Sequence, residues 1–215
     1  MKTGSFTLKK SFCLLAVTVI FSLLTFFVDR QAIGWEGTSV GFASLNGLVQ
    51  RTFGYNAAMD KISDIVMVLA FAVVAAFAVY GAILLIKKKS LGAVGKTVIG
   101  LGILYVIVVI IYVAFKKIPV NFRPIIPPGE TELETSYPST HTLIIGSVFG
   151  SAIIAVKRLV SNESFVKIAT IASIALMVIG ICARFLAGVH WATDIAAGIL
   201  FSLTLVSFYA ACSKD

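Results

Sequence analysis

Three ionisable residues lie close together near the C-terminus, in a stretch that is otherwise apolar. Arg184, His190 and Asp194 belong to the segment ARFLAGVHWATD, and the flanking segments SIALMVIGIC and IAAGILFSLTLVSF carry no charge. His190 and Asp194 are four residues apart, so they share one face of a helix that begins there. A carboxylate in this position can accept the Nδ1–H of the imidazole and leave Nε2 as a free nucleophile. The alternative is that the three residues are only the polar ends of two helices.

Two other clusters contain residue types that bind phosphate. Lys116, Lys117 and Arg123 lie in KKIPVNFRP, and Ser139 and His141 lie in YPSTHT. Fixed cations attract phosphate, and the planar guanidinium of arginine matches its oxygens. A hydroxyl and the N–H groups at the start of a helix form an anion site, and a protonated histidine can hand a proton to a leaving oxygen. Together with the nucleophile, this inventory describes phosphoryl transfer without a metal.

Each of these residues also has a simpler interpretation. Lys116 and Lys117 would be membrane-interface anchors, and Arg184 would be a snorkelling side chain. His141 by itself would be a polar helix end. The histidine–aspartate pair would also suit a metal ion, but a cluster rich in arginine and lysine repels a cation. The spacing within the clusters favours a site.

The composition places these clusters in a membrane protein. Of the 215 residues, 59% are hydrophobic and only 13% are charged, whereas a soluble domain has about 25% charged residues. Several apolar runs approach the roughly 20 residues that cross a bilayer as a helix. We therefore predict an all-α fold, in which a single membrane-embedded domain over residues 1–215 forms a bundle of six transmembrane helices. The predicted spans are 11–28, 65–86, 98–115, 142–156, 168–183 and 195–212.

The basic residues predict how this bundle is oriented. If the N-terminus is cytoplasmic, eleven of the 18 lysines and arginines fall on the cytoplasmic side, which is the asymmetry of the positive-inside rule. These eleven are Lys2, Lys9, Lys10, Lys87, Lys88, Lys89, Lys96, Lys157, Arg158, Lys167 and Lys214. The C-terminus is then cytoplasmic as well, and all three polar clusters are extracytoplasmic. The net charge of +8 thus reflects topology, and no nucleic-acid motif accompanies it.

Two long loops connect spans on the extracytoplasmic side. Residues 29–61 are rich in glycine and aromatic residues, and they form either an amphipathic segment in the membrane interface near the site or a plain connector. Residues 116–140 contain all five prolines, four of them between Pro119 and Pro128, which excludes a continuous helix there. A stiff, irregular loop of this kind is a good platform for site side chains. Its acidic residues are interpreted as solvated; they are Glu130, Glu132 and Glu134.

The three clusters resemble the motifs of the type 2 phosphatidic acid phosphatase superfamily, whose pattern is KxxxxxxRP, then PSGH, then SRxxxxxHxxxD. The matching residues are Lys116, Arg123 and Pro124 in the first motif, Pro138, Ser139 and His141 in the second, and Arg184, His190 and Asp194 in the third. The gaps, the order of the motifs and the six-span layout agree, so the resemblance covers most of the chain. Members hydrolyse phosphatidic acid, phosphatidylglycerol phosphate or undecaprenyl pyrophosphate.

The resemblance implies a mechanism and a role for each matched residue. His190 attacks phosphorus to give a phosphohistidine, and Asp194 orients it. His141 protonates the leaving lipid oxygen and later helps to activate water. The phosphoryl oxygens are held by Lys116, Arg123, Ser139, Thr140 and Arg184. No metal and no other cofactor is implied.

Two positions depart from the family pattern. Thr140 stands where the family has glycine, and its N–H can still face a phosphate if its φ is negative. Ala183 stands where the third motif has serine, so one hydroxyl donor is missing. A neutral hydrogen bond contributes about 1 kcal/mol, so we expect weaker phosphate binding and the same class of reaction.

We therefore expect an enzyme, a metal-independent phosphatase that acts on a membrane lipid phosphate or pyrophosphate in a bacterial plasma membrane. A lipid substrate is inferred from location, since its head group reaches the loops while its tail stays in the bilayer. One alternative is a lipid phosphotransferase, which would pass the same phosphoryl group to an alcohol. Another is a non-catalytic protein that binds or transports a lipid phosphate. The presence of His190, Asp194 and His141 argues against the second, because binding would need only the cations.

Overall fold

The computed structural model describes residues 7–214, and this part of the chain contains seven α-helices. They are α1 (Leu8–Phe27), α2 (Ala43–Phe53), α3 (Ala57–Lys88), α4 (Lys96–Lys117), α5 (Thr140–Leu159), α6 (Glu163–Leu186) and α7 (Ala192–Cys212). All except α2 are long and apolar enough to cross a membrane. The predicted all-α fold with six spans is confirmed. Lys2, which contributed to the predicted orientation, lies outside the described residues.

The largest difference between the predicted spans and the observed helices is at the start of α3, and α6 begins five residues before the predicted start at 168. Helix α3 begins at Ala57, eight residues before the predicted start, and has 32 residues. Asn56 caps it, since its Oδ1 accepts the N–H groups of Ala58 and Met59 at 3.1 and 3.2 Å. At 1.5 Å per residue α3 is about 48 Å long, well beyond a hydrocarbon core of about 30 Å. Hydropathy detects only the apolar part of such a helix, so the sequence analysis placed Asp60 and Asp64 before the span.

α5 and α7 form the centre of the bundle. About half of each is buried, 56% and 44% of its most apolar window, against 22% or less for the other four spans. Small residues bring the two helices together: a Cβ at Gly146 would lie 2.4 Å from Ser202 Oγ, and one at Gly198 would lie 2.7 Å from Thr142 Cβ. Close backbone approach of this kind is typical of membrane helices. The first turns of α5 and α7, which carry His141 and Asp194, are therefore held at a fixed separation.

Hydroxyl groups join α1 to α7 along the span. Ser11 and Ser207 are hydrogen-bonded at 2.7 Å, and Thr18 and Thr204 at 2.8 Å. Both pairs are buried between the helices, where lipid offers no competing partner. This ladder explains why an apolar first helix contains regularly spaced serine and threonine.

The loop between α1 and α3 contains α2, which the sequence analysis did not delimit. The buried residues of α2 are Ala43, Asn46 and Gly47, while Leu45 and Leu48 are exposed. Asn46 donates to Thr193 Oγ1 at 2.9 Å and accepts from the N–H of Thr193 at 3.2 Å. One face of α2 is therefore hydrogen-bonded to the first turn of α7, and its outer face is apolar. Its location in a membrane interface stays a prediction.

The loop between α4 and α5, residues 118–139, contains no helix, as its prolines predict. A single antiparallel bridge joins Phe122 to Thr135. Next to it, the N–H of Arg123 donates to the carbonyl of Glu134 and the N–H of Ser136 donates to the carbonyl of Asn121, at 3.0 and 2.9 Å. The loop is thus a pinned hairpin that holds the first motif over the end of the bundle.

The opposite end of the bundle carries the lysine-rich segments. Arg158, at the end of α5, donates to the carbonyls of Ala210 and Ser213 at 2.8 and 2.9 Å. Thr97, at the start of α4, donates to the same Ser213 carbonyl at 3.1 Å. The motifs and the basic clusters are therefore at different ends, as the charge pattern predicts. Which end faces the cytoplasm stays a prediction.

Candidate active site

The three motifs meet at one end of the bundle through direct contacts. The N–H of Ser139, at the start of α5, donates to the carbonyl of Asp194 in α7 at 3.0 Å. The indole Nε1 of Trp191 donates to the carbonyl of Phe122 in the hairpin at 2.7 Å. The hairpin, the start of α5 and the start of α7 are thereby one rigid assembly. The structure brings together all the residues that the motifs singled out.

A glycine turn between α6 and α7 delivers His190 to this assembly. Gly188 has a φ of +68°, and a Cβ there would lie 1.7 Å from the carbonyl oxygen of Gly54. The N–H of Asn56 donates to the carbonyl of Ala187 at 3.0 Å, and Gln50 donates to the carbonyl of Gly188 at 3.1 Å. The end of α2 and the start of α3 therefore hold the turn from outside. Only glycine combines this φ with such a close backbone contact.

His190 is buried between an acid and a guanidinium. Its Nδ1 is 3.7 Å from Asp194 Oδ2, and its Nε2 is 3.3 Å from Nη2 of Arg184. Because arginine is only a donor, Nε2 must accept, and the proton of the neutral ring is on Nδ1. This is the tautomer that the sequence analysis predicts. The Nδ1–Asp194 distance is longer than a hydrogen bond, so the acid faces the ring without bonding to it in this state.

The surroundings of His190 keep its ring neutral. Burial lowers the pKa of His190 well below its ordinary value of 6.5, and the positive charges of Arg184 and Arg123 lower it further. A neutral imidazole has an unprotonated lone pair on Nε2, which here accepts from Arg184 and which is the form required of a nucleophile. The structure thus supplies a physical reason for reactivity that the spacing of the motif does not.

Asp194 is fully buried, and both of its oxygens accept hydrogen bonds. Oδ1 accepts from Asn121 Nδ2 and Oδ2 accepts from the N–H of Trp191, each at 3.0 Å. Asn121 in turn accepts from the N–H of Gly41 at 3.2 Å. Asn121 is not among the site residues predicted from the sequence; its only signal is a polar side chain inside the first motif. These bonds explain why Asp194 is held slightly away from His190.

Each predicted phosphate-binding cation is paired with a carboxylate in this structure. Arg184 Nη1 donates to Asp60 Oδ1 at 2.5 Å and is 4.0 Å from Asp64. Glu134 bridges Arg123 and Lys116, at 3.0 and 3.6 Å. The acids therefore occupy positions at which phosphoryl oxygens would compete for the same cations. Glu134 is part of the site, and its interpretation as a purely solvated residue is wrong.

His141 also has an acidic partner. Its Nε2 is 2.8 Å from Asp64 Oδ1. Asp60 and Asp64 both come from the first turns of α3, which the sequence analysis placed in a loop. Their spacing of four residues, the same as in the histidine–aspartate pair, was a usable signal once the helix is known to begin at Ala57.

The start of α5 has the form that the second motif predicts, with one difference. Ser139 is the N-cap, and its Oγ accepts from the N–H and the hydroxyl of Thr142 at 3.5 and 3.2 Å. The hydroxyl therefore serves the helix in this state. Thr140 is not among the residues with positive φ, so it satisfies the condition for its N–H to face an anion.

A cavity of about 490 Å³ opens onto this site. Its polar wall contains Lys116, Arg123, Glu134, Thr140, His141 and His190. Three buried residues of the site do not line the cavity and lie behind its wall: Ser139, Arg184 and Asp194. The apolar wall comes from α3 and α4 and includes Phe71 and Val109, which are 51% and 58% exposed on the outer surface. The cavity thus runs from the site to the lipid-facing side of the bundle.

Comparison with known proteins places the chain in a family. The sequence model of the PAP2 superfamily matches residues 97–215, which include all three motifs. The chain belongs to the PAP2 superfamily. No curated protein matches it. Membership supports a phosphatase, and the six spans make this PAP2 chain a multi-pass membrane protein.

A solved structure shares the fold of this PAP2 chain. It is the first transmembrane PAP2 type phosphatidylglycerolphosphate phosphatase from Bacillus subtilis, with 20% sequence identity and a TM-score of 0.60. The match covers 93% of this chain and 92% of the other. At this identity the likeness shows the fold. The segment matched by the superfamily excludes α1 to α3, so Asp60 and Asp64 come from outside it.

Proposed function

We propose that this chain is a single membrane-embedded domain that hydrolyses a lipid phosphate or pyrophosphate through a phosphohistidine on His190, without a metal. The observation that carries the proposal is the position of His190. It is a neutral, buried imidazole on the wall of a cavity that also contains the cations Lys116 and Arg123, and an acid lies behind it. The cations of the site match a phosphoryl group.

The first step transfers the phosphoryl group to the protein. The phosphoryl oxygens take the places that Glu134 now holds on Arg123 and Lys116. Arg184, which lies behind His190, binds them once its guanidinium leaves Asp60 and His190 Nε2. The lone pair of His190 Nε2 forms a bond to phosphorus while the bond from phosphorus to the lipid oxygen breaks. That oxygen receives a proton from His141.

The second step releases phosphate. The now neutral His141 takes a proton from water, whose oxygen attacks phosphorus and displaces Nε2. Asp194 stabilises the positive charge that develops on the His190 ring, as a buried acid behind a histidine does in other covalent mechanisms. Transfer to an alcohol in place of water would make the same chain a phosphotransferase, and the products distinguish the two.

The shape of the cavity supports a lipid substrate. The head group would lie at the polar wall, and the chain would leave between α3 and α4 along Phe71 and Val109. A water-soluble substrate would need no such opening toward lipid. The class of lipid, whether phosphatidic acid, phosphatidylglycerol phosphate or a polyprenyl pyrophosphate, is left to experiment.

The test is phosphate release by detergent-purified protein from a panel of lipid phosphates, with chelator present. We expect release by the wild type and a loss of at least about a thousandfold in His190→Ala. Phosphate release that is unchanged in His190→Ala, or absent from the wild type with every lipid, contradicts the proposal. Transfer to added glycerol, measured beside phosphate release, tests the phosphotransferase alternative.

We further propose that the site is extracytoplasmic in a bacterial plasma membrane, with both termini in the cytoplasm. The support is the separation of the motifs from the basic clusters. A Glu132→Cys variant, with the three native cysteines replaced, should react with an impermeant thiol reagent added outside intact cells. Labelling only after the cells are opened would reverse the orientation.

A further inference from the structure

Two acids at the start of α3 divide their contacts between different parts of the site. Asp60 pairs with Arg184, while Asp64 Oδ1 is 2.8 Å from His141 Nε2 and 4.0 Å from Arg184. The Asp64 side chain is 58% exposed and that of His141 is 13% exposed. The carboxylate thus lies at the rim and points inward to one nitrogen of a mostly buried ring.

The contact assigns the protons of His141. An ionised carboxylate only accepts, so Nε2 must carry a hydrogen whenever this bond is made. Proton transfer to the leaving oxygen is then the task of the other nitrogen, Nδ1. The ring alternates between a form protonated on both nitrogens and a neutral form that keeps only Nε2–H. Without a partner at Nε2, the neutral ring would also populate the opposite tautomer, which cannot take a proton from water through Nδ1.

Charge is the second effect of Asp64. His141 faces the positive charges of Arg184 and Arg123, and His190 and Glu134 line the same cavity. A carboxylate in hydrogen-bond contact favours the protonated imidazole that a general acid requires. Two tyrosines, Tyr112 and Tyr137, also line the cavity. Burial raises the pKa of Tyr137 to about 12 and its hydroxyl donates to Ser22, while the ring of Tyr112 lies against Lys116.

We infer that Asp64 is a positioning residue of the proposed reaction: it holds Nε2–H of His141 so that Nδ1 serves the leaving oxygen and then water. The inference rests on the proposed function. It adds a component from outside the segment that the superfamily matches. In the first half-reaction the P–O bond to the lipid breaks and the P–N bond to His190 forms. The Nδ1 proton of His141 moves to the lipid oxygen, while its Nε2–H stays hydrogen-bonded to Asp64.

Leaving groups of different basicity distinguish this role from a structural one. A lipid alkoxide must be protonated as it departs, whereas nitrophenolate departs without a proton. The comparison uses kcat/KM, which covers only the steps up to loss of the leaving group and excludes the hydrolysis of phosphohistidine that both substrates share. For Asp64→Asn we expect kcat/KM to fall about ten- to a hundredfold for dioctanoyl phosphatidic acid and less than about threefold for p-nitrophenyl phosphate.

Matched variants keep the test decisive. Asp64→Glu keeps the charge and should recover most of the lost activity on the lipid. Asp60→Asn alters the partner of Arg184 and should lower kcat/KM for both substrates by a similar factor. Because Asp64 acts through His141, adding Asp64→Asn to His141→Gln should change kcat/KM for the lipid no further. Retained activity on the aryl phosphate shows that each variant is folded.

Three results would overturn the inference. These are an equal loss on both substrates in Asp64→Asn, no loss on either, or a further loss when Asp64→Asn is added to His141→Gln. If the wild type hydrolyses neither substrate, the proposed function fails and the inference fails with it. If the wild type is active but Asp64→Asn does not discriminate between the two leaving groups, the role of Asp64 is rejected and the proposed function is not.

Discussion

At the residue scale, the ionisation of His190 is set by burial and by neighbouring cations. The ring is 6% exposed, and both Arg184 and Arg123 oppose its protonation. Asp194 is the compensating charge, but its oxygens are committed to Asn121 and Trp191 at 3.0 Å. The free protein therefore holds a neutral nucleophile, and stabilisation by Asp194 becomes important when the ring acquires positive charge.

The first prediction concerns the titration of His190. Its pKa in the folded protein should lie below 6.5, so the ring stays neutral as the pH falls from 8 to 6.5. Because the unfolded chain binds this proton more readily, His190 should make the fold less stable as the pH is lowered through 6.5. The chain has two histidines, so imidazole NMR of tag-free His141→Gln observes His190 alone. A measured pKa at or above 6.5 contradicts the prediction.

The second prediction concerns Asn121. Asn121→Ala removes a buried hydrogen bond to a carboxylate, which is worth about 1.5–3 kcal/mol, so kcat/KM for a lipid phosphate should fall about ten- to a hundredfold. Asn162→Ala is the control, because it removes the cap of α6, which begins at the other end of the bundle. It should lower stability by about 1 kcal/mol and leave kcat/KM unchanged. Equal activities of the two variants would show that Asn121 has no role in the site.

At the scale of elements, the site depends on how closely α5 approaches α7. His141 is in the first turn of α5, while His190 and Asp194 flank the start of α7. The separation of these turns is set where Gly198 of α7 meets Thr142 of α5. A change of a few tenths of an ångström at this contact moves the proton donor relative to the nucleophile.

The third prediction tests that contact. In Gly198→Ala the added Cβ would lie 2.7 Å from Thr142 Cβ and 3.0 Å from the Ser139 carbonyl. The two helices must separate, so the melting temperature should fall by several degrees, for a cost of about 1–3 kcal/mol, and activity should fall with it. Gly102→Ala in α4 is the matched control, since nothing lies within 4 Å of its Cβ. A Gly198→Ala protein as active and stable as the control would refute the argument.

At the scale of the whole molecule, the bundle separates a polar end from an apolar girdle. The outer surfaces of α1, α3, α4 and α6 are covered by large exposed hydrophobic side chains, as expected of helices that face lipid. The cavity connects these two regions between α3 and α4. A lipid could thus reach the site from the bilayer without its chain crossing water.

The fourth prediction tests this route. Val109→Trp places a large side chain at the lateral opening of the cavity. Hydrolysis of a long-chain lipid phosphate should fall at least about fivefold relative to that of p-nitrophenyl phosphate, because only the lipid needs the opening. Val106→Trp is the control, as Val106 is also exposed on α4 but does not line the cavity. If both variants change the ratio of lipid to p-nitrophenyl phosphate hydrolysis equally, entry of the lipid between α3 and α4 is ruled out.

The sequence by itself determined the fold class, the number of spans and the residues that form the three motifs. Long apolar runs have few structural options in a bilayer, because every backbone N–H and C=O must be bonded within a helix. Motif spacing places His190 and Asp194 on one face where a helix begins, since four residues nearly complete a helical turn. These are local properties, and local pattern is sufficient to predict them.

Only the tertiary structure decided which partners these residues have. The pairing of Asp64 with His141 and of Asp60 with Arg184 joins residues more than 70 positions apart, and no periodicity encodes such contacts. These contacts depend on the extension of α3 beyond its apolar part. A hydropathy pattern does not detect this extension, although the helical hydrogen bonds continue through it. Asn121 reaches Asp194 for a similar reason: a pinned hairpin, not its own sequence position, brings it there. The charge state of His190 follows from this packing, because burial and convergent cations exist only once the helices have assembled.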